Sequence, residues 1–481
     1  MNLRGSRLSQ EAGEIVKKLT SILGEKYVTA SLPDLIAYSC DISPEPRVLP
    51  DVVVRPKTTE EVAEILKEAN KTKKPVVPRG AGTCPAGFIK YQKNAIVVDM
   101  TRMDEIIDIN EKEMTVTVEC GVTWGKLYYE LRKKGWRVGS YGPGSALSAT
   151  VGGALSHHSL AYGCAKYGSV SENVTSLEVV LPTGAIINTG SGAYPHAKKA
   201  QRYGIGPDLT GLFLGEGGAF GIKTKATMMI HPFPEAVRFL CYEAENLKQL
   251  LDATYEVSKT RIPSDILGFN PWLNNALGEA GFKSLLGKDY TLHVVIEAPN
   301  DKVADAQAEY VDNAAKKTGV KEVGAEWLKF FYYPRFAEWW PRTSPKGKRW
   351  YAWCNKIPIY DYLRTHELIE ELFNKYKDEC EKYQLEPYDV MYFVVDWNTV
   401  DALLLVYAWD DVPGAREVVR KMWREGFERF VAEGGIHYWL GSAVGELVAR
   451  NWASEYRETL RAIKKVLDPN GILIPGMLLL T

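Results

Sequence analysis

No stretch of this 481-residue chain approaches the roughly 18 consecutive apolar residues that cross a bilayer as a helix, so no transmembrane segment is expected. The opening residues, MNLRGSRLSQEAGEIVKKL, lack the apolar core of a secretory leader. A cytoplasmic location is expected, with membrane attachment only through a partner. Cysteine is sparse and scattered: seven residues, an odd number, without a C-x-x-C pair. That argues against a disulfide framework and supplies no ligand set for zinc or an iron–sulfur cluster. Neither sign of charge dominates, since 59 basic residues face 60 acidic ones for a net charge of −1. No global field therefore draws the chain to nucleic acid. A Gly-Lys-Ser/Thr phosphate loop is missing, and no internal repeat or low-complexity tract is visible. What is present is ordinary for a globular protein: 46% apolar and 25% charged residues, in a chain long enough for two or three domains.

The most informative stretch is 143–190, PGSALSATVGGALSHHSLAYGCAKYGSVSENVTSLEVVLPTGAIINTG. Within it Ala149-Thr150-Val151-Gly152-Gly153 forms a turn of small residues. Backbone with so little side-chain cover lets a flat or phosphorylated ligand approach its N–H groups. A tight packing corner explains that stretch, taken alone, equally well. Further on, residues 176–181 and 185–189 read as a hairpin around Pro182-Thr183-Gly184, where Pro presets φ and Gly supplies φ > 0.

A second glycine-rich loop lies upstream. A short apolar strand, 75–77, runs into Pro78-Arg79-Gly80-Ala81-Gly82-Thr83-Cys84, and another strand follows at 95–99. Successive N–H groups beside an Arg and a Thr hydroxyl can cradle a pyrophosphate. A dinucleotide fingerprint of the Rossmann type is excluded. Its third glycine would stand at Pro85, and no amphipathic helix follows.

Together these two stretches resemble the FAD-binding domain of the vanillyl-alcohol oxidase and p-cresol methylhydroxylase superfamily, which includes FAD-linked D-lactate dehydrogenases and the glycolate oxidase flavin subunit. Supporting matches occur in the family's order: the hairpin containing LEVVLPTG, Asp208-Leu209-Thr210-Gly211-Leu212-Phe213, GAFGIKT at 218–224, and LDPNGILIPG at 467–476. The resemblance implies an α+β fold: a two-subdomain FAD-binding domain of the p-cresol methylhydroxylase type, interrupted by an α+β cap. On this reading residues 1–235 form the FAD domain, 236–445 the cap over the substrate, and 446–481 a segment that returns to the FAD domain. The double-proline segment His231-Pro232-Phe233-Pro234 marks the first boundary.

FAD is the implied cofactor, bound non-covalently because the first loop offers Cys84 and no His. The implied FAD contacts are Pro78 to Cys84, Ala149, Thr150, Gly152 and Gly153, joined by Gly144, Gly168, Ser169, Val174, Gly221 and Ile222. His157, and His158 beside it, follow the Gly-Gly turn closely enough to reach the cofactor, although an ordinary polar loop reads equally well. The family draws substrate-side groups from the cap and from the segment before the last helix, here Glu433-Gly434-Gly435-Ile436-His437-Tyr438-Trp439. His437 is the expected base, with a side chain whose pKa suits the role, although a lone His more often serves structure. Tyr438 is the expected donor to a developing oxyanion. Arg342 and Arg349 lie in an aromatic segment, 326–353, that contains five Trp, and either can clamp a carboxylate bidentately.

The chain departs from the 2-hydroxy-acid branch, which usually carries His-rich metal-binding stretches. Here the cap strands read Val394-Val395-Asp396-Trp397-Asn398 and 403–409, without His, so no metal site is expected. The expected activity is an FAD-dependent dehydrogenase taking a hydride from a small hydroxy acid or alcohol. Electrons would pass to a partner, an iron–sulfur or cytochrome subunit or a quinone, in a chain expected to be oligomeric. Two alternatives stand beside it: oxidation of a 4-alkylphenol, suggested by Trp339, Trp340, Trp350 and Trp353, and a non-catalytic flavin relay subunit.

Overall fold

Thr58 starts the 59–72 helix by accepting a hydrogen bond from the Glu61 N–H at 3.2 Å. Glu61 reaches back to the N–H of Lys57 at 2.6 Å, so donors at this helix end are satisfied by its own first turn. The stripe Val62, Ile65, Leu66 and Ala69 is then buried against strands. The computed structural model describes residues 10–333, 348–409, 411–438 and 445–480.

The first sheet comprises β1 (Val28–Thr29), β2 (Val52–Val54), β3 (Val76–Arg79) and β4 (Ile96–Asp99), in the order β1-β2-β4-β3. β2, β4 and β3 are parallel, as expected of strands whose Val and Ile side chains are buried on both faces. The exposed side of β3 is closed by the far end of the chain. Val76 donates to the Ile472 carbonyl at 2.8 Å, and Ile474 donates to the Val76 carbonyl at 3.0 Å.

The second sheet is antiparallel: β5 (Ile106–Asn110), β6 (Thr115–Glu119), β7 (Trp136–Val138), β8 (Val174–Val180), β9 (Ile186–Asn188) and β10 (Ile222–Pro232). β8 and β9 form the hairpin read from the sequence, with Gly184 at φ +83° in its turn.

The third sheet has eight strands: β11 (Ala236–Ala244), β12 (Asp265–Phe269), β13 (Tyr290–Ala298), β14 (Lys321–Glu322), β15 (Arg349–Pro358), β16 (Glu386–Val395), β17 (Thr399–Ala408) and β18 (Ile436–His437). Their order is β14-β11-β13-β12-β16-β17-β15-β18. Helices 247–259, 301–316, 362–375 and 415–432 cover one face. The other face faces the first half of the chain: Ala352, Cys354, Leu403, Leu405 and Tyr407 share one core with residues of the second sheet. Strand alternation makes this division, since Ala402 and Leu404 on β17 belong to the helix side while Leu403 and Leu405 belong to the other.

A buried ion pair ties the two halves. Arg137 of β7 donates to Glu297 of β13, and the second Glu297 oxygen accepts from the Tyr332 hydroxyl at 2.8 Å. The guanidinium lies 3.8 Å from the centre of the Tyr141 ring. No helix among the described residues is long and apolar enough to cross a membrane.

Candidate functional site

The loop after β3 and the turn that enters helix Val151–Leu155 touch one another. A Cβ on Gly80 would lie 2.2 Å from the Thr150 hydroxyl, so only glycine lets the two stretches meet. Between these loops, the start of β10 and the floor formed by the third sheet runs a cavity of about 450 Å³. Of the residues predicted to hold FAD, the cavity is lined by Pro78 to Cys84, Gly144, Ala149, Thr150, Gly152, Gly153, His157, Gly221 and Ile222.

The two glycine stretches offer different chemistry. In the 149–153 turn four of the five backbone donors are committed to the protein. Ala149 donates to Ser145, Val151 to Val122, Gly152 to Cys120, and Gly153 to the Thr150 hydroxyl at 3.3 Å. Gly152 is glycine because a Cβ would lie 2.8 Å from the Cβ of Cys120, whereas a Cβ on Gly153 would meet only the Thr150 hydroxyl, at 3.1 Å, and otherwise enter the cavity. In the 80–83 loop the position is reversed, since no described group accepts from the N–H of Gly80, Ala81, Gly82 or Thr83. Consecutive open N–H groups on a cavity wall, opposite a face kept bare by Gly153, fit the pyrophosphate and adjoining flat rings of FAD.

Arg79 serves this loop from behind. Its guanidinium occupies the space that a Gly82 side chain would need and donates to the carbonyls of Tyr38 and Cys40, at 3.4 and 3.3 Å. Lys223, unforeseen from the sequence, lines the same cavity and forms a buried ion pair with Glu216 at 2.6 Å. Desolvation pushes the Cys84 thiol up to about 12, so it is held as a neutral wall group. His157 lines the cavity with Nδ1 3.2 Å from the Ser159 hydroxyl, and desolvation lowers it to about 4, leaving a neutral ring. Its neighbour His158, at φ +51°, turns instead to the Ser171 hydroxyl at 2.9 Å.

Three predicted contacts stand outside the cavity lining. Gly168 is backed by Asp396, Ser169 caps the 170–173 turn by accepting from Ser171, and Val174 is buried in β8. The substrate-side predictions divide likewise. Tyr438 lines the cavity, its hydroxyl accepting from the Leu160 N–H at 2.5 Å, and burial raises its pKa well above the usual phenol value. His437 is outside the lining, a correction with a simple cause. In β18, paired to β15, successive side chains take opposite faces, so His437 turns to Phe427 of the 415–432 helix, with ring centres 5.1 Å apart. Arg349 is also outside, where it donates to the Asp41 carbonyl at 2.6 Å. Arg342, with Trp339, Trp340 and Trp439, lies outside the described residues.

The sequence reading missed Asp401. This β17 carboxyl is 4% exposed, lines the cavity floor with Phe393, Leu403 and Cys354, and has one oxygen without a hydrogen-bond partner among the described residues. Desolvation raises it to about 7, opposed by Lys356 and by a hydrogen bond from the Cys354 thiol. The available signal was an acidic residue just before an apolar run, Asp401-Ala402-Leu403-Leu404-Leu405, at an alternate position of a strand. No group of three or more His, Cys, Asp or Glu among the described residues is arranged to hold a metal ion.

Two family models match this chain. A model of the FAD binding domain matches residues 50–190, and one of the C-terminal domain of FAD linked oxidases matches residues 361–478. Glycolate oxidase subunit GlcD of Bacillus subtilis is 30% identical over 256 residues, 53% of each chain. A probable mitochondrial D-lactate dehydrogenase of Danio rerio is 30% identical over 251 residues, 52% of this chain and 49% of that one. The chain thus spans about half the length of these curated relatives. A crystal structure of p-cresol methylhydroxylase with substrate bound superposes with a TM-score of 0.81 over 98% of both chains, at 20% identity, which shows the fold. The loops that leave four donors open beside a bare glycine face lie in and around the matched FAD binding domain, and on these grounds the chain carries an FAD binding domain and the C-terminal domain of FAD linked oxidases, with FAD as its cofactor.

Proposed function

We propose that this chain is an FAD-dependent dehydrogenase that oxidises a small neutral substrate, an alcohol or a 4-substituted phenol. The carrying observation is that one cavity joins the open donors of the 80–83 loop to the cap floor formed by Trp350, Phe393, Leu403, Asp401 and Tyr438. FAD bound there supplies a hydride acceptor. The chain's own residues bind and orient. The 80–83 loop holds the phosphates, Gly153 leaves room for the ring system, and Phe393, Leu403 and Trp350 exclude water from the substrate end. Tyr438, fixed by the Leu160 N–H, keeps its hydroxyl at the cavity wall.

The names of the relatives point to two substrate classes, 2-hydroxy acids for the glycolate oxidase subunit and D-lactate dehydrogenase, and a phenol for p-cresol methylhydroxylase. The floor supports the neutral class. A substrate carboxylate placed there would face the Asp401 carboxyl in a dry site, where like charges repel strongly. The hydroxy-acid reading is supported by Arg79 and Lys223 on the cofactor side of the same cavity. Electrons then leave to a partner protein, a cytochrome or iron–sulfur subunit, a reading that the word subunit in the glycolate oxidase name supports.

Anaerobic mixing decides between the classes. Benzyl alcohol and 4-methylphenol should bleach the flavin absorbance, and glycolate and D-lactate should not. Bleaching by hydroxy acids alone would sink the neutral-substrate reading, and a flavin that no member of either class reduces would favour a relay subunit.

A further inference from the structure

Asp401 is one of the buried groups on the cavity wall that the packing leaves unsatisfied. It sits on β17, between β16 and β15, and its side chain shares a face with Leu403 and Leu405 in the core between the two halves of the chain. The groups around it are known from every side. Cys354 of β15 hydrogen-bonds it and Lys356 of the same strand acts on it as a cation. Phe393 is its register partner on β16. The Tyr438 hydroxyl feels its charge from beyond β18, as does the Cys164 thiol from the 164–167 helix, where Asp265 and Asp396 add theirs. None of these completes its shell, because Oδ1 has no partner among the described residues although the residue is 4% exposed. A buried carboxyl oxygen without a donor costs stability, and it is retained where a ligand brings the donor.

We propose that Asp401 is the catalytic base that takes the hydroxyl proton of the substrate. The assignment rests on the neutral-substrate reading above. In the balanced step for an alcohol, the O–H proton moves to the Asp401 carboxylate and the O–H electron pair becomes the second bond of the product carbonyl. The C–H hydrogen leaves carbon with its electron pair and is received by the cofactor, which is thereby reduced. Asp401 ends neutral, the form that its burial favours, and returns the proton to solvent before the next turnover. Of the alternative bases on the cavity wall, Asp41 is tied to the Ser43 N–H and hydroxyl, and desolvation makes His157 a weaker base than a carboxyl that titrates near neutrality. His437 faces the opposite side of the sheet.

The test uses the FAD-loaded protein and Asp401→Asn, which keeps size and shape. Two readouts are taken between pH 5 and 9: the anaerobic rate of flavin reduction by benzyl alcohol, and the infrared carbonyl band of protonated carboxylic acids. Wild type should show a rate that rises with pH through a limb near 7, and the variant should lose both the limb and about 10²–10⁴-fold in rate. A carboxylic acid band should titrate over the same range, move when benzyl alcohol binds, and be missing from Asp401→Asn. A variant that reduces its flavin within a few-fold of wild type with the same pH profile overturns the proposal, and so does the lack of such a band. Failure of the substrate reading looks different. No alcohol then bleaches the flavin, yet benzyl alcohol still displaces the Asp401 band, which supports Asp401 as the group that meets the ligand hydroxyl. A band that benzyl alcohol leaves in place overturns that contact.

Discussion

Replacing Glu297 by Gln removes the charge that answers Arg137 while leaving the guanidinium in place. The pair is almost completely enclosed, with side-chain exposures of 1% for Arg137 and 5% for Glu297. Arg137 keeps its bonds to the Val138 and Gly139 carbonyls and its stacking on Tyr141, so it stays charged in the interior. Breaking one side of such a pair costs about 3–5 kcal/mol, chiefly because the remaining charge is buried without compensation. An unfolding entropy of about 2.1 cal/mol/K per residue gives about 1 kcal/mol/K for a chain of this length unfolding as a unit, so Tm should fall by about 3–5 °C. Because Arg137 is on β7 and Glu297 on β13, the loss falls between the two halves of the chain that together line the cavity, and flavin release should track the unfolding transition. The assay is a thermal ramp followed by flavin fluorescence and by far-ultraviolet circular dichroism. Replacing both residues, Arg137→Met with Glu297→Leu, removes both charges and should recover most of the loss, short of the hydrogen bond that Glu297 accepts from the Tyr332 hydroxyl. A Glu297→Gln protein that melts within 1 °C of wild type, or a double variant worse than either single one, would refute the reasoning.

Gly153→Leu should yield folded but colourless protein, since the side chain enters the cavity beyond the Thr150 hydroxyl; full flavin occupancy on purification would contradict the cradle. Asp401 also sets a pH dependence of stability. Its pKa is raised from 3.8 to about 7 on folding, so between those values the native state holds a proton that the unfolded chain has lost, and stability falls as pH rises. Relative to Asp401→Asn, wild type should lose up to about 4 kcal/mol between pH 4 and pH 8, readable by urea unfolding, with no trend if the carboxyl is ionised throughout. Lys464→Met should cost about 3–5 kcal/mol, because buried Asp468 loses its cation and the Ala219 and Leu473 carbonyls lose a donor; an unchanged urea midpoint would show that this anchor carries little. Tyr438→Phe strands the Leu160 N–H at a cost of about 1–3 kcal/mol, and an unshifted melt would mean that another acceptor replaces the hydroxyl.

Local chemistry made much of the fold legible. The Thr58–Glu61 spacing marks a helix start, Pro182-Thr183-Gly184 marks the hairpin, and Asp468-Pro469-Asn470-Gly471 ends the 454–467 helix where the structure ends it. The cofactor side of the cavity was foreseen through the two glycine stretches taken together and the family they resemble, since either stretch alone reads equally well as a packing corner. The substrate side was not. His437 and Tyr438 are adjacent in sequence and differ only in strand parity, which depends on how β18 registers against β15. Asp401 belongs to a strand that pattern reading began at residue 403, and only the pairing with Phe393 and Lys356 shows which face it takes. Gly152 and Gly153 look alike in sequence, yet Cys120 makes the first a packing requirement while the cavity lies beside the second.

The closing of β3 by residues 472–474 bears on how this protein is made. The phosphate loop continues directly from β3, and the strand's free edge is filled only by residues at the far end of the chain. Until residues 472–474 are made, β3 therefore waits with an open edge, the kind of backbone that pairs with strangers. A chain cut short before residue 472 should therefore hold its cofactor poorly and be prone to aggregate.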